Sequence, residues 1–255
     1  MKLVTIGNVV YALRRAIKRE KPFSIMRLCD GEYEIVKGMC QRNGNLLTNR
    51  ISRWVSTDQI SIEEIYDIGE SIVTSYETAD IVGVPNEVES TYPKWRGFTN
   101  ILPRIVHRNS VLCDFHAVTH IDYRKLFTSG EIKSVGLVSC RAEPVKRRLS
   151  EIGIRDVAIF DIAPETFSYS ASFNDSLRRS KPHYPDRFQE FPSWARCVLQ
   201  RPRVIFIGAG GFGKIYCAIV KKYGGIAVDV GSLFDGWCGC PTRPYLKRKL
   251  SRFVL

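Results

Sequence analysis

The chain has 255 residues, of which 44% are hydrophobic and 25% charged, and this composition is typical of a globular protein that can bury a core. It excludes a wholly disordered chain, and no apolar stretch approaches the length that a transmembrane helix needs. Lysine and arginine number 38 against 26 acidic residues, and the resulting formal charge of +12 favours polyanions, nucleotide phosphates or an anionic membrane surface without choosing among them.

The first twenty residues predict an amphipathic helix and not a signal peptide. Gly7 and Asn8 interrupt the apolar run, and the segment is basic from Arg14 onward. The eight cysteines are scattered without a Cys-x-x-Cys pair, so neither a structural zinc site nor a disulfide framework is predicted. We therefore expect a cytoplasmic protein with free thiols.

Short β-branched runs alternate with helix-period segments along the chain. Strands are predicted within 23–28, 80–85, 110–115, 132–140, 154–162, 203–210 and 225–232, and helices within 61–79, 142–153 and 212–225. This alternation predicts an α/β fold, a Rossmann-like open and mostly parallel sheet with flanking helices. We expect a single domain over 1–255, with an irregular insert at about 164–192 and a basic C-terminal tail at 242–255. The insert is either an acceptor-side flap or a mobile segment.

Two carboxylates follow the first predicted strand. Asp30 and Glu32 stand at i and i+2 around Gly31, and on an extended or turning backbone they can point to the same side. Paired carboxylates repel unless a cation lies between them, and Mg²⁺ or Mn²⁺ takes such oxygen ligands together with substrate phosphates. Arg27 adds a positive fork for the same phosphates. A solvated turn with two surface acids is the alternative.

A glycine-rich loop follows the sixth predicted strand. Gly208-x-Gly210-x-x-Gly213 lies between a strand and a helix, with Asp229 about 20 residues beyond, which is the local pattern of a dinucleotide site. The position is unusual for that fold, because a dinucleotide fingerprint normally belongs to the first βαβ unit. The loop and Lys214 either receive an anionic oxygen or let the helix pack tightly on the strand.

The segments MRLCDGEYEIVKG and VIFIGAGGFGKIYCAIVKKYGGIAVDVGSLFDGW, with the α/β rhythm between them, resemble the GT-D glycosyltransferases, a Rossmann-like class of bacterial sugar-nucleotide transferases. The resemblance implies that Asp30 and Glu32 form the family's Asp-x-Glu motif, which is associated with a divalent metal, Mn²⁺ or Mg²⁺, and with the donor diphosphate. From their residue types and placement, the candidates for binding the donor are Arg27, Gly31, Gly208, Gly210 and Lys214. Family members commonly have glycine before the aspartate, where this chain has Cys29.

The resemblance implies hexosyl transfer from a nucleotide-sugar donor, with UDP as its nucleotide, to a glycan, glycoprotein or lipid-linked acceptor. An inverting reaction needs a general base. The leading candidates follow strand-like runs, where an open sheet places its ligand site, and they are Asp235, Asp114 and Asp161. Other candidates for the base are His116, Glu143 and Glu165.

Two other functions compete with sugar transfer. A nucleotide-cofactor enzyme, an oxidoreductase or methyltransferase, would use the 208–213 loop without a metal. A non-catalytic basic protein would bind a membrane surface or nucleic acid, although no nucleic-acid motif is recognised and we expect no nucleic-acid partner. The basic tail either packs on the domain or touches the inner face of the membrane.

Overall fold

The structure, a computed structural model, describes residues 2–55, 60–86, 92–164, 182–201, 203–240, 242–248 and 250–255. Within these ranges seven strands form one parallel sheet with the order β3-β2-β1-β7-β6-β4-β5. The strands are β1 Phe23–Arg27, β2 Ile81–Val84, β3 Val111–Asp114, β4 Ser134–Val138, β5 Asp156–Phe160, β6 Val204–Ile207 and β7 Ile226–Asp229. Each lies in a run that the sequence predicts as a strand, and the Rossmann-like fold class is confirmed.

The helices that flank the sheet occupy most of the remaining described chain. They are α1 Ile6–Arg19, α2 Asp30–Gln41, α3 Gly44–Val55, α4 Ile62–Ser75, α5 Phe98–Ile101, α6 Phe115–Thr119, α7 Tyr123–Thr128, α8 Ala142–Glu151, α9 Phe188–Val198, α10 Phe212–Lys222, α11 Leu233–Trp237, α12 Pro244–Arg248 and α13 Leu250–Phe253. Local sequence sets several of their ends. At α4, for example, Ser61 and Glu64 form a reciprocal capping box.

The sheet is buried on both faces, which explains why its strands are short, apolar and rich in β-branched residues. Along β1, Met26 faces a core that includes α2, α3, α4, α9 and α10, whereas Ile25 faces a second core that includes α1, α7, α8 and α11. Both side chains are fully buried. The strands therefore carry one layer of helices on each face.

The connections diverge at the centre of the sheet. β1 continues into α2 on one face, whereas its neighbour β7 continues into α11 on the other. In open α/β sheets such a divergence leaves a crevice beyond the carboxyl ends of the two strands, where ligands bind. We call the side of the sheet where the strands finish its carboxyl end, and the side where they start its amino end.

The predicted insert and tail are partly described. Residues 165–181 of the insert lie outside the described residues, but from Phe188 the chain is helical. In the C-terminal segment Leu246, Phe253 and Leu255 are buried against the second core, which agrees with the packing interpretation of the tail. None of the helices in the described ranges is long and apolar enough to cross a bilayer.

Candidate functional site

The two central strands end in an ion pair. Arg27 closes β1 and Asp229 closes β7, and both side chains are almost completely buried. The Arg27 backbone N–H donates to Oδ2 of Asp229 at 3.2 Å, and its Nε donates to the Asp229 carbonyl oxygen at 3.0 Å. Arg27 Nη2 lies 3.5 Å from Asp229 Oδ1. The arginine is therefore fixed by the neighbouring strand.

Lys214, from the first turn of α10, extends the pair into a network of four charges. Its Nζ lies 2.6 Å from Oε1 of Glu32 and 2.9 Å from Oδ2 of Asp229. We call Arg27, Glu32, Lys214 and Asp229 the buried quartet. The positive charges of the two cations cancel the negative charges of the two carboxylates. Such pairing is what allows charged side chains to be buried.

Three members of the quartet, Arg27, Lys214 and Asp229, remain ionised at neutral pH. Burial by itself would raise the pKa of Asp229, but Lys214 and Arg27 lower it below its ordinary value. Burial would lower the pKa of Lys214, yet Asp229 and Glu32 raise it above the usual range. Cys29, the residue before α2, behaves differently, because burial raises the pKa of its thiol to about 12 and keeps it protonated.

Asp30 and Glu32 point in different directions. The helix α2 begins at Asp30, so the two residues are separated by two helical steps of about 100° each and not by one strand repeat. Asp30 is exposed and its Oδ1 accepts the Gly31 N–H at 3.1 Å, whereas Glu32 turns inward to Lys214. Oε2 of Glu32 accepts no hydrogen bond from the described residues.

The donor set of the Asp-x-Glu segment is therefore small. Two carboxylates with hard oxygen atoms suit Mg²⁺ or Mn²⁺, which commonly takes one or two protein carboxylates and completes its shell with water and substrate phosphates. Across the described ranges no group of three or more His, Cys, Asp or Glu side chains is arranged to hold a metal ion. Asp30 and Glu32 fit a divalent ion only if substrate oxygens complete its shell.

The glycine loop packs under an indole ring. Gly210 adopts a positive φ of 53°, and a β-carbon there would lie 2.7 Å from Trp54 of α3. A β-carbon on Gly211 would also collide with this ring, and one on Gly208 would lie 2.7 Å from the Gly231 carbonyl oxygen. In this conformation the glycines make room for the Trp54 ring and the Gly231 backbone, which is a different packing role from the contact between helix and strand considered from the sequence.

The two polar residues of the fingerprint also belong to the quartet. Lys214 points to Glu32 and Asp229, and Asp229, which would hold a ribose hydroxyl in a dinucleotide site, is 1% exposed. No local pattern in the sequence indicates that Trp54 covers the loop, because the indole comes from a helix more than 150 residues earlier in the chain.

Asp114 lies at the end of β3 and caps α6. Its Oδ1 accepts the His116 N–H at 2.8 Å, and its Oδ2 accepts Nδ2 of Asn86 at 3.0 Å. Both partners are uncharged donors from the turn beyond the strand or from the segment after β2. Asp114 is thus a half-buried carboxylate held in one orientation at the carboxyl end.

The two other candidate bases have different surroundings. Burial raises the pKa of Asp161, which follows β5, with Glu143 adding to the effect and Arg187 opposing it. Asp235, in α11, forms an ion pair with Arg141 at 3.2 Å and accepts a hydrogen bond from the Thr242 hydroxyl. Asp235 therefore anchors the C-terminal segment to α8 and α11.

The three aspartates are not brought together. With strands spaced about 4.8 Å apart, β3 lies roughly 10 Å from β1 and β5 roughly 19 Å from it on the other side. Asp235 follows β7, the immediate neighbour of β1. By strand order, Asp114 lies closer to β1 than Asp161 does, and Asp235 is drawn towards the end of β4 by its ion pair with Arg141.

Comparisons with known proteins support the fold. Neither the protein-family models nor the curated proteins include a match to this sequence. A selenomethionine-substituted structure of domain of unknown function 1792 has 13% identity and a TM-score of 0.51, over 93% of this chain and 81% of that one. A second structure of this domain, described as having a distinct glycosyltransferase fold, has 14% identity and a TM-score of 0.50, over 91% and 78%. At these identities the likeness shows a shared fold.

Proposed function

We propose that this chain is a metal-dependent glycosyltransferase that moves a hexose from a nucleotide diphosphate donor, UDP-hexose, to a glycan, glycoprotein or lipid-linked acceptor. The observation that carries the proposal is the placement of Asp30. Its exposed carboxylate opens α2 at the carboxyl end of β1, beside the crevice between β1 and β7 and next to the buried quartet. The likeness to a domain with a glycosyltransferase fold supports the same conclusion.

Each residue of this region has a role in the proposal. Asp30 would hold the divalent ion, with Glu32 as the second carboxylate once its side chain turns away from Lys214, and the ion would stabilise the negative charge of the departing diphosphate. Arg27 stays paired with Asp229, whereas Lys214 would lose one of its two carboxylate partners when Glu32 binds the ion, and the positive charge freed in this way would lie close to the donor phosphates. Gly31, Gly208 and Gly210 keep the backbone close to the crevice, and the first amides of α2 favour an anion.

For an inverting transfer we propose Asp114 as the general base. It closes β3, two strands from β1, and among the described residues its oxygens accept hydrogen bonds from uncharged donors, whereas proton uptake by Asp235 would break its ion pair with Arg141. Asp114→Asn should lower kcat about a hundredfold or more without changing metal-dependent UDP binding. The measurement is UDP release from a panel of UDP-hexoses, and unchanged turnover would remove Asp114 from the mechanism.

Calorimetric titration of UDP with and without Mn²⁺ tests the function itself. The wild type should bind UDP only with Mn²⁺, and Asp30→Asn should weaken this binding about tenfold or more, because one of two carboxylate ligands loses its charge. Glu70→Gln is the matched control, since Glu70 is an exposed acid in the middle of α4 and should leave binding unchanged.

Two results would contradict the proposal in distinct ways. If a nucleotide cofactor binds without metal, and Asp30→Asn does not change its affinity, the result would favour an oxidoreductase or methyltransferase that uses the 208–213 loop. Absence of nucleotide binding, together with steeply salt-dependent binding to a polyanion, would favour a non-catalytic basic protein.

A further inference from the structure

A basic groove lies at the amino end of the sheet, opposite the proposed catalytic site. The second half of α1 faces the first residues of β4, β6 and β7, and together they enclose a cavity of about 1000 Å³. Two acids, Glu20 and Glu131, line it. The cations that line it are Arg14, Arg15, Lys18, Arg19, Lys133 and Arg203.

Two arginines of the lining are already paired with carboxylates. Arg14 lies 3.2 Å from a carboxylate oxygen of Glu131. Arg203 lies 2.9 Å from the Asp156 carboxylate and also donates to the carbonyl oxygens of Val198 and Val135. These two arginines therefore hold the groove together and offer little free positive charge to a ligand.

The free positive charge lies at the rim. Arg15, Lys18, Arg19 and Lys133 are exposed, and none of them forms an ion pair or hydrogen bond within the described ranges. Glu20 is the acid of the lining that forms no ion pair there. Four cations against one acid give the rim a net positive charge.

The floor between these cations is apolar. Ile17, Val204 and Ile226 line it, and the last two are almost completely buried. Tyr11, one helical turn before Arg15, stands at the mouth with 67% of its surface exposed. An exposed tyrosine beside basic residues on an amphipathic helix is typical of a side chain that sits at a membrane interface.

The arrangement of the lining favours a layer of lipid phosphates as the ligand, and not a small polyanion inside the cavity. A small anion on the floor would meet mainly aliphatic side chains, the Ser134 hydroxyl, and two arginines whose charges are already paired with Glu131 and Asp156. A planar layer of lipid headgroups can instead reach the four rim cations at once, while Tyr11 enters the interface. Clusters of roughly four to eight basic residues on an amphipathic helix are typical of surfaces that bind anionic lipids.

We propose that α1 and the rim of this groove are the docking surface of the protein on an anionic membrane. This surface is independent of the proposed sugar transfer, and it orients the molecule. The amino end of the sheet faces the bilayer, and the crevice at the carboxyl end faces away from it. The basic C-terminal segment begins on the other side, because Tyr245 bonds to Ser232 just past the end of β7.

Vesicle flotation of the full chain tests the proposal with two variants that each lose three positive charges. One combines Arg15→Ser, Lys18→Ser and Arg19→Ser in α1, and the matched control combines Lys247→Ser, Arg248→Ser and Arg252→Ser in the C-terminal segment. All six side chains are exposed, so both variants should fold, and circular dichroism checks this.

The wild type and the control should float with vesicles that contain phosphatidylglycerol, and not with pure phosphatidylcholine. The α1 variant should bind at least about tenfold more weakly, since three of the four rim cations are gone. Tyr11→Ser should also weaken vesicle binding. This substitution does not change the charge, so attraction between the net positive charge and the anionic vesicle would not explain such a loss. UDP titration of the α1 variant should match that of the wild type.

Three results would overturn the proposal. If the control loses vesicle binding and the α1 variant keeps it, the C-terminal segment is the membrane surface. If the wild type ignores anionic vesicles, no docking surface of this kind exists. If the wild type binds a nucleic acid through the α1 cations and does not bind vesicles, the groove is a nucleic-acid site.

Discussion

Lys214 is the side chain on which the proposed site depends at the scale of single residues. Its ammonium group contacts two carboxylates from different elements, Glu32 of α2 and Asp229 of β7, and only 2% of the side chain is exposed. The interaction of each charge with its partners must offset its loss of hydration. Removing one member therefore costs more than removing an ordinary surface ion pair.

We expect Lys214→Met to destabilise the protein by about 3–5 kcal/mol, because it leaves Glu32 without its cation and Asp229 with Arg27 alone in a buried environment. Urea unfolding at neutral pH measures this change. Lys221→Met is the matched control on the same helix. Lys221 pairs with Asp80 at 2.6 Å, but the two side chains are 25% and 35% exposed, so its loss should cost less than about 1 kcal/mol.

Equal stability of the two lysine variants would contradict the role of the quartet. If Lys214→Met does not fold, the double variant Lys214→Met with Glu32→Gln keeps the test open. It removes one of the stranded carboxylate charges, and it should recover folding if the unpaired charge is the cause.

Contact between α3 and the glycine loop belongs to the scale of elements. Trp54, near the end of α3, covers Gly210 and Gly211, and a β-carbon on Gly31 of α2 would lie 3.1 Å from the same indole ring. A single aromatic side chain thus joins α2, α3 and the turn before α10. The spacing of these elements depends on the absence of side chains beneath the ring.

Gly211→Ala should destabilise the protein by about 1–3 kcal/mol because its methyl group overlaps the indole of Trp54. The φ angle of Gly211 is −62°, so backbone strain does not contribute. Gly7→Ala in α1 is the control, since only Thr5 Oγ1 lies near the added carbon, at 3.6 Å, and the helix should gain about 0.5–1 kcal/mol.

Thermal melting of the single variants and of Gly211→Ala combined with Trp54→Leu separates sterics from other effects. A smaller side chain at Trp54 should reduce the cost of the alanine, which gives a favourable coupling energy. Strictly additive effects would show that the methyl group does not meet the indole.

The elements were largely predictable from the sequence, and the contacts between them were not. All seven strands follow from short apolar runs, and the five inner ones are buried on both faces, which leaves a purely local pattern in the sequence. The partner of Lys214 left no such pattern, since Glu32 lies 182 residues earlier in the chain. The pairing of Asp30 with Glu32 on one side assumed an extended or turning backbone, but α2 begins at Asp30 and rotates the two apart.

At the scale of the whole molecule, the two ends of the sheet differ in the state of their charges. At the carboxyl end, the buried quartet pairs two cations with two carboxylates at the tips of β1 and β7. At the amino end, four rim cations of the basic groove point into solvent. The net charge of +12 therefore does not describe one uniform field, and the proposed donor site and docking surface can be altered independently.

The stability of the whole molecule should also depend on pH through His183. This side chain is 2% exposed, its Nε2 lies 2.8 Å from the Tyr216 hydroxyl oxygen, and its ring centre lies 4.6 Å from that of Phe212. Burial lowers the pKa of His183 to about 3, with Arg187 adding to the effect and a hydrogen bond to the Trp54 backbone opposing it. The folded protein therefore keeps this histidine neutral well below the pH at which an unfolded chain protonates it.

As the pH falls below about 6.5, the unfolded state binds a proton that the folded state does not, so the free energy of unfolding falls by up to about 1.4 kcal/mol per pH unit until the pH nears 3. Between pH 7 and pH 5 the wild type should lose about 2 kcal/mol more than His183→Gln, which cannot titrate. Urea unfolding at the two pH values measures both. Equal losses in the two proteins would show that His183 is protonated in the fold, and that burial does not set its charge.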